Sequence, residues 1–349
     1  MYFPFPNSWA SRNVTARSNQ IVTQWLFGMA LLVAIMVVIG GVTRLTGSGL
    51  SMVEWRPIIG SLPPMTKLEW QRVFQLYQAS PEYQQLNYGM SLDAFKTIFF
   101  WEYFHRLWGR LLGLAFGFPL IIFTITGRVP AGFGARLFLL LLLGGFQGVV
   151  GWWMVKSGLT EEASVSQYRL ASHLCIALVI FSLLIWTGFD IRDGRGKRPT
   201  GYAMAILTLV GITIVAGALV AGMDAGLLYN EYPLMGTGLV PVEYGEIGWL
   251  DPFENPASAQ FHHRHLALFT LICTLIFSYK SYKKSEDPKM KKIALYIPVI
   301  ILVQFLLGII TLINMVPVHL GALHQAVAII LFLAVTYSMH RNNLKVNFI

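Results

Sequence analysis

The chain alternates long apolar runs with polar connections. Eight stretches have spanning length: 21–43, 104–126, 137–155, 170–189, 202–222, 262–280, 293–313 and 318–338. A helix of about 20 mostly apolar residues crosses a bilayer. Runs this long do not fit barrel strands, and lipid offers unpaired backbone groups no partner. The pattern predicts an all-α integral membrane protein with eight transmembrane helices. Two connections are long, 44–103 and 223–261. In the first, "TKLEWQRVFQLYQ" (66–78) sets Leu68, Val73, Leu76 and Tyr77 near helical spacing. That predicts a short helix lying at the membrane interface.

Composition agrees with this class. Of 349 residues, 55% are hydrophobic and 12% charged, and mean hydropathy is +0.58, values of a polytopic membrane protein. Cys175 and Cys273 lie inside apolar runs and read as small buried hydrophobes, not as a disulfide framework. The net charge of +9 does not indicate nucleic-acid binding, because the basic residues fall in loops between apolar runs. Placing both termini on one side gives that side 16 Lys and Arg and the other side 10. Positive charge favours the cytoplasm, so both termini are expected to be cytoplasmic and both long loops to face outward. The N-terminal "MYFPFPNSWASRNVTARSNQ" has no signal-peptide core. A bacterial inner membrane is the expected location. Arg12 and Arg17 without acids keep a mitochondrial inner membrane open. Asp224, Glu231, Glu243, Glu246, Asp251 and Glu254 of the second outer loop read as a solvated acidic surface.

Of eight histidines, His340 is expected to be solvated in the cytoplasmic tail. The others gather at the outward ends of the even-numbered spans: His105, His173, His262 with His263 and His265, and His319 with His324. The halves repeat. "FHR" at 104–106 matches "HHR" at 262–264 with a shift of 158, and His173 matches His324 with a shift of 151. Gln147 and Gly151 match Gln304 and Gly308 with a shift of 157. "GSGL" at 47–50 resembles "DAGL" at 224–227. These shifts predict two pseudo-symmetric four-helix bundles related by an axis along the membrane normal. The boundaries are a cytoplasmic N-terminus (1–20), bundles over 21–190 and 202–340, a linker at 191–201 and a tail at 341–349.

An ionisable side chain inside a membrane is costly and points to function. Four histidines at one depth, paired by halves, point to heme iron held from both sides in a helical bundle. Zinc is disfavoured, since no compact cysteine or carboxylate motif accompanies them. Arg106 and Arg264 directly follow histidines, and Arg169 lies one turn outward of His173. Guanidinium forks suit heme propionates. In "HHRH", His263 is chosen over His262 and His265 because its His-Arg pair aligns with His105-Arg106. His319 follows Pro317 and is expected in the short outer loop, solvated or touching a propionate.

Several segments together resemble heme A synthase: "EYFHRLWGR" (102–110), "VSQYRLASHL" (165–174), "QFHHR" (260–264), "ALHQ" (322–325), "GGVTRLTGSGLSMVEWRPIIGSLPP" (40–64) and "SPEYQQLNYGMSLDAFKTIFF" (80–100). The resemblance covers nearly the whole chain. It implies an eight-helix membrane enzyme that oxidises the C8 methyl of heme O to a formyl group by successive hydroxylations, giving heme A for cytochrome oxidase. It implies a heme b cofactor on His263 and His324, a substrate heme site at His105 and His173, and Glu102 as the catalytic acid. It suggests heme O synthase as a neighbour. The cysteine pair that some members carry in the first outer loop is missing here, so a mechanism needing it does not apply. Two other classes also fit paired histidines: a diheme b-type electron carrier and a heme transporter or chaperone. Glu102 speaks against the carrier, because its counterpart is Gln260.

Overall fold

The computed structural model describes residues 9–54, 62–160, 163–194 and 201–342, with side chains from Ala16 onward. Arg56, most of the linker (195–200), the first eight residues and 343–349 lie outside them. The helices in chain order are α1 (Trp9–Leu45), α2 (Lys67–Gln78), α3 (Pro81–Gln85), α4 (Leu92–Ile125), α5 (Gly134–Ser157), α6 (Gln167–Asp193), α7 (Gly201–Gly222), α8 (Asp251–Glu254), α9 (Pro256–Lys284), α10 (Pro288–Ile313) and α11 (Val318–Arg341). The described residues contain no strand, only an isolated bridge between Met235 and Gly238.

Among the described residues, seven helices are long and apolar enough to span: α1 from Ala16, α4, α5, α6, α7, α10 and α11. The expectation was eight. The remaining long helix, α9, has 29 residues but carries a histidine-arginine cluster at one end and lysines at the other, which lower its mean hydropathy. The helices also outrun their apolar cores. α4 begins at Leu92, capped by the Ser91 hydroxyl on the Ala94 N–H, so residues 92–103 are helical and not part of a loop.

Packing follows the order of the chain. α1, α4, α5 and α6 contact one another in sequence and close a ring through α1 and α6. α7, α9, α10 and α11 do the same through α7 and α11. The rings meet along α1–α11, α6–α7 and α6–α11. One apolar core runs through both, from Val22 and Leu26 to Val335 and Met339.

The outer loops are built, not floppy. α2 starts with a capping box, Thr66 to Glu69. Its aromatic face packs on α4. Tyr77 and Phe74 pack on Phe95 of α4, and Trp70 lies edge-on to Phe99, while Leu68 is 76% exposed. The extended α4 offers aromatic surface closer than lipid. The second long loop is largely the acidic surface expected, with Asp224, Glu231, Glu246 and Glu254 exposed; Asp251 is the exception. Asp251 is buried and accepts from the Gly245 N–H at 2.8 Å. Asp224 pairs with Arg44 at 2.8 Å, and the Tyr229 and Tyr168 hydroxyls donate to Glu243 and Glu254. These acids order the loop by accepting its own donors at Gly245 and Tyr229 and by tying it to Arg44 of α1 and Tyr168 of α6.

The inner ends are joined by charges. His340 is 1% exposed, and its Nε2 lies 3.1 Å from Asp190, which also pairs with Arg136. The expectation of a solvated His340 is therefore corrected: α11 continues to Arg341, so His340 still faces α6, between Trp186 and Phe189. Cys175 is exposed and Cys273 partly buried. The buried reading of Cys175 is thus corrected too; an apolar thiol on a membrane helix needs no core position.

Candidate functional site

The sequence reading singled out His105, His173, His263 and His324. Each is half-buried, and each ring lies against a glycine of a neighbouring helix. A methyl built on Gly151 of α5 would lie 2.9 Å from Cε1 of His173, and one on Gly308 of α10 would lie 2.9 Å from Cε1 of His324. On α7, Gly217 stands 3.0 Å from Cε1 of His263, and on α1, Gly40 stands 3.4 Å from Nε2 of His105, measured in the same way. Gly40 and Gly217 differ by 177, the shift that relates "GSGL" to "DAGL". The four contacts thus form two copies of one arrangement. His105 and His173 are within electrostatic reach of each other, and so are His263 and His324.

Matched glutamines complete each copy. Gln147 Nε2 lies 3.4 Å from Nε2 of His173 and donates to its carbonyl at 2.9 Å. Gln304 Nε2 lies 3.2 and 3.3 Å from the ring nitrogens of His324. Nδ1 of His173 and the Oε1 atoms of Gln147 and Gln304 are buried without a hydrogen-bond partner. Unsatisfied buried polar atoms are rare and call for an explanation.

The arginines also repeat. Arg106 donates to the carbonyls of Met52 and Glu54, at 3.0 and 3.3 Å. Arg264 donates to those of Tyr229, Glu231 and Leu234, at 2.8, 2.9 and 3.0 Å. Residues 52 and 54 shifted by 177 are 229 and 231. Each guanidinium therefore ties the chain segment after the first helix of its half to the helix that bears the histidine. Arg169 donates to the Trp153 carbonyl at 2.8 Å and stacks on its ring.

The halves differ at Glu102, which is 2% exposed. Its carboxylate accepts from the Ser51 hydroxyl at 2.7 Å, the Met52 N–H at 2.7 Å and Arg106 at 2.6 Å. All three partners are donors, so it acts here as an acceptor-only group. At the matching position, Gln260 donates to the Tyr229 carbonyl at 3.0 Å. Ser51 and Met52 were not picked out by sequence reasoning. The signal was available in the "GSGL" and "DAGL" match, which continues to Leu228 and Tyr229.

The model of the family described as cytochrome oxidase assembly protein matches residues 23–336. The chain is 46% identical over 333 residues to the heme A synthase of Parvibaculum lavamentivorans, covering 94% of this chain and 96% of that protein. It is 45% identical to that of a Caulobacter species, covering 90% and 94%, and 42% identical to that of Granulibacter bethesdensis, covering 93% and 88%. The chain belongs to the cytochrome oxidase assembly protein family.

In this family member the remaining histidines are engaged elsewhere. Nδ1–H of His262 donates to the Ser258 carbonyl at 2.8 Å, and the ring stacks on Tyr244. Nδ1 of His265 lies 2.8 Å from the Phe261 carbonyl. His319 is exposed, in the first turn of α11 and not in a loop. Among the described residues no three His, Cys, Asp or Glu side chains gather as a metal site. The imidazoles come in pairs, and two can occupy both axial positions of an iron already held by a porphyrin.

Proposed function

We propose that the chain is a heme A synthase: an integral membrane oxidoreductase that converts heme O to heme A. We read it as two pseudo-symmetric four-helix bundles, with α9 as the eighth span, both termini cytoplasmic, in the inner membrane. The two closed rings of helices and the repeated histidine–glycine contacts support that reading.

The residues fit heme in both halves. The glycines clear space beside each imidazole, and the orphaned His173, Gln147 and Gln304 atoms mark places where a bound group completes the polar pairing. His263 and His324 would hold heme b as the cofactor, and His105 and His173 would receive heme O as substrate. Heme b would supply one-electron redox chemistry to the oxidation. Arg106, Arg169 and Arg264 would meet propionates; the first and third already serve loop carbonyls, so a propionate would share or displace those bonds.

The observation that carries the assignment of roles is Glu102 against Gln260. A carboxylate in a dry pocket, held by three donors, sits one helical turn outward of His105. There it stabilises positive charge developing at the methyl being oxidised, and it accepts the proton released when water adds. The half with Gln260 has no such acceptor. The test is reverse-phase separation of hemes extracted from protein expressed with a heme O source, for the wild type and Glu102→Gln. Heme A or hydroxylated heme in the wild type, with loss or stalling in the variant, is expected. Normal formyl heme in the variant refutes the role of Glu102. Unmodified heme alone in the wild type refutes the enzyme.

A further inference from the structure

The two rings close differently. In the second, α9 and α10 pack tightly along their length; in the first, the matching pair α4 and α5 is the loosest seam. At its outer end lies a cleft of about 200 Å³, bordered by Met52, Val53, Arg106, Trp152, Val155 and Lys156. Below the cleft the seam is bare as far as Gly117 of α4, where a built methyl would meet Leu141 of α5 at 3.9 Å. Methyls built on Gly113 of α4 and on Gly144, Gly145 and Gly148 of α5 would meet no atom within 4 Å. Residues 144, 148, 151 and 155 recur at intervals of four and three, so they share a helical face. Gly151 on that face abuts His173 and Val155 borders the cleft. Gly113 lies two turns from Arg106, on the same side of α4.

The repeat shows what fills these places in the closed ring. Gly113 shifted by 158 is Leu271, and Gly144, Gly145 and Gly148 shifted by 157 are Ile301, Leu302 and Phe305. Leu271 and Ile301 are buried, and Phe305 packs against the core and lies edge-on to Tyr232. Leu302 is 44% exposed, so three large apolar side chains pack inward where the other half has hydrogen atoms. A group bound permanently needs no port, whereas a substrate that must enter and a product that must leave do. Heme O also carries a long isoprenoid chain, which makes the bilayer the favourable route.

We propose that the α4–α5 seam is a lateral port: the substrate porphyrin enters through it from the bilayer, its isoprenoid chain lies along the glycine face of α5, and its carboxylates reach Lys156 and Arg106 in the outer cleft. This rests on the reading of the first half as the substrate site. Lys156 has no counterpart in the second half, where the matching residue is Ile313.

The test gives α5 the side chain that α10 has. Hemes are extracted from the full-length protein purified from cells supplying heme O, for the wild type and Gly148→Phe. The wild type should yield heme b with heme O or heme A. The variant should keep heme b while heme O plus heme A falls at least ten-fold. Wild-type amounts of heme O plus heme A in Gly148→Phe overturn the port. A wild type without heme O or heme A overturns instead the substrate-site reading on which the port depends. Should the variant lose heme b as well, a second measurement decides. Gly113→Cys in a Cys175→Ala, Cys273→Ala background is labelled in membranes with a lipid-soluble maleimide. Heme O should slow labelling several-fold and heme b should not; equal rates with and without heme O overturn the port.

Discussion

Gly308 gives the sharpest test of how the histidines are held. An alanine methyl there would lie 2.9 Å from Cε1 of His324, whereas carbon atoms settle at about 3.5–4.0 Å. The ring or α10 must then withdraw by roughly 0.6–1 Å. Overpacking of this size costs about 1–3 kcal/mol, and exchanging glycine for alanine within a helix returns about 1 kcal/mol. The net cost is about 0–2 kcal/mol, so the fold should survive with at most a modest loss of stability. Ligation tolerates less, because a constellation must stay within about 0.5 Å of its productive geometry. A loss near 1.4 kcal/mol at the iron lowers affinity about ten-fold. Gly308→Ala should therefore purify normally, melt near the wild-type temperature and carry far less heme b, read from the Soret band per protein. Gly217→Ala, at 3.0 Å, should behave alike, and Gly40→Ala, starting at 3.4 Å, should be nearly silent. Gly151→Ala should keep heme b and lose heme A formation. Wild-type heme b content with an unaltered spectrum in Gly308→Ala would refute the argument that the missing Cβ sets the ring position.

Arg264→Lys replaces a fork that reaches three carbonyls with a single ammonium group; one or two carbonyls lose their partner, at about 1–3 kcal/mol in all, and limited proteolysis should cut the 223–254 loop faster than in the wild type. An unchanged cleavage rate would remove Arg264 as the loop's anchor. Glu82, in the first outer loop, is pushed up to about 7, by burial first and then by the nearby Glu102 charge, against the Tyr77 hydroxyl bond and Arg44. Its folded value lies above its ordinary 4.5, so the folded state holds the proton more tightly. The resulting stability, about 3 kcal/mol at most, is present below about 4.5 and lost as pH rises to about 7. Glu82→Gln should thus raise the melting temperature at pH 8 and do little at pH 4.5; equal pH dependence in both proteins would contradict this.

Much of this was legible in the sequence, for identifiable reasons. Long apolar runs leave few alternatives in lipid, so seven spans and the line of α9 could be read directly. The histidine pairs were legible because a repeat places them at one depth. What could not be read was whatever packing decides. α4 starts at Leu92 because the aromatic face of α2 covers its first turns, and no hydropathy pattern reports a cover. His340 looked terminal, yet one more helical turn brings it onto Asp190. Asp251 alone of the second-loop acids is buried, and composition does not say which backbone N–H lies nearby. Leu68, Val73, Leu76 and Tyr77 gave the helix but not its packing on α4, since periodicity identifies a face but not what it meets.

The repeat explains why so few substitutions suffice to make the halves unlike. Arg106 and Arg264 hold the same two backbone positions, 52 and 54 in one half and 229 and 231 in the other. The scaffold around each histidine pair is therefore kept while one side chain is exchanged. Where the first half has Glu102, the segment turns an N–H and the Ser51 hydroxyl toward it. Where the second has Gln260, position 228 is a leucine without a hydroxyl, and the segment offers the Tyr229 carbonyl to an amide. Reversing the direction of one hydrogen bond thus separates a donor-lined pocket holding a carboxylate from one holding a neutral amide. The same halves differ again along the helix seam, where Gly148 faces Phe305 across the repeat. On the roles proposed above, the charge at the reacting carbon and the wall that opens for exchange fall in one half, and the neutral, closed half keeps its heme. If that division holds, installing Gln at 102 should leave the first half able to bind porphyrin yet unable to oxidise it. Installing Phe at 148 should do the reverse, leaving Glu102 in place with nothing admitted to it.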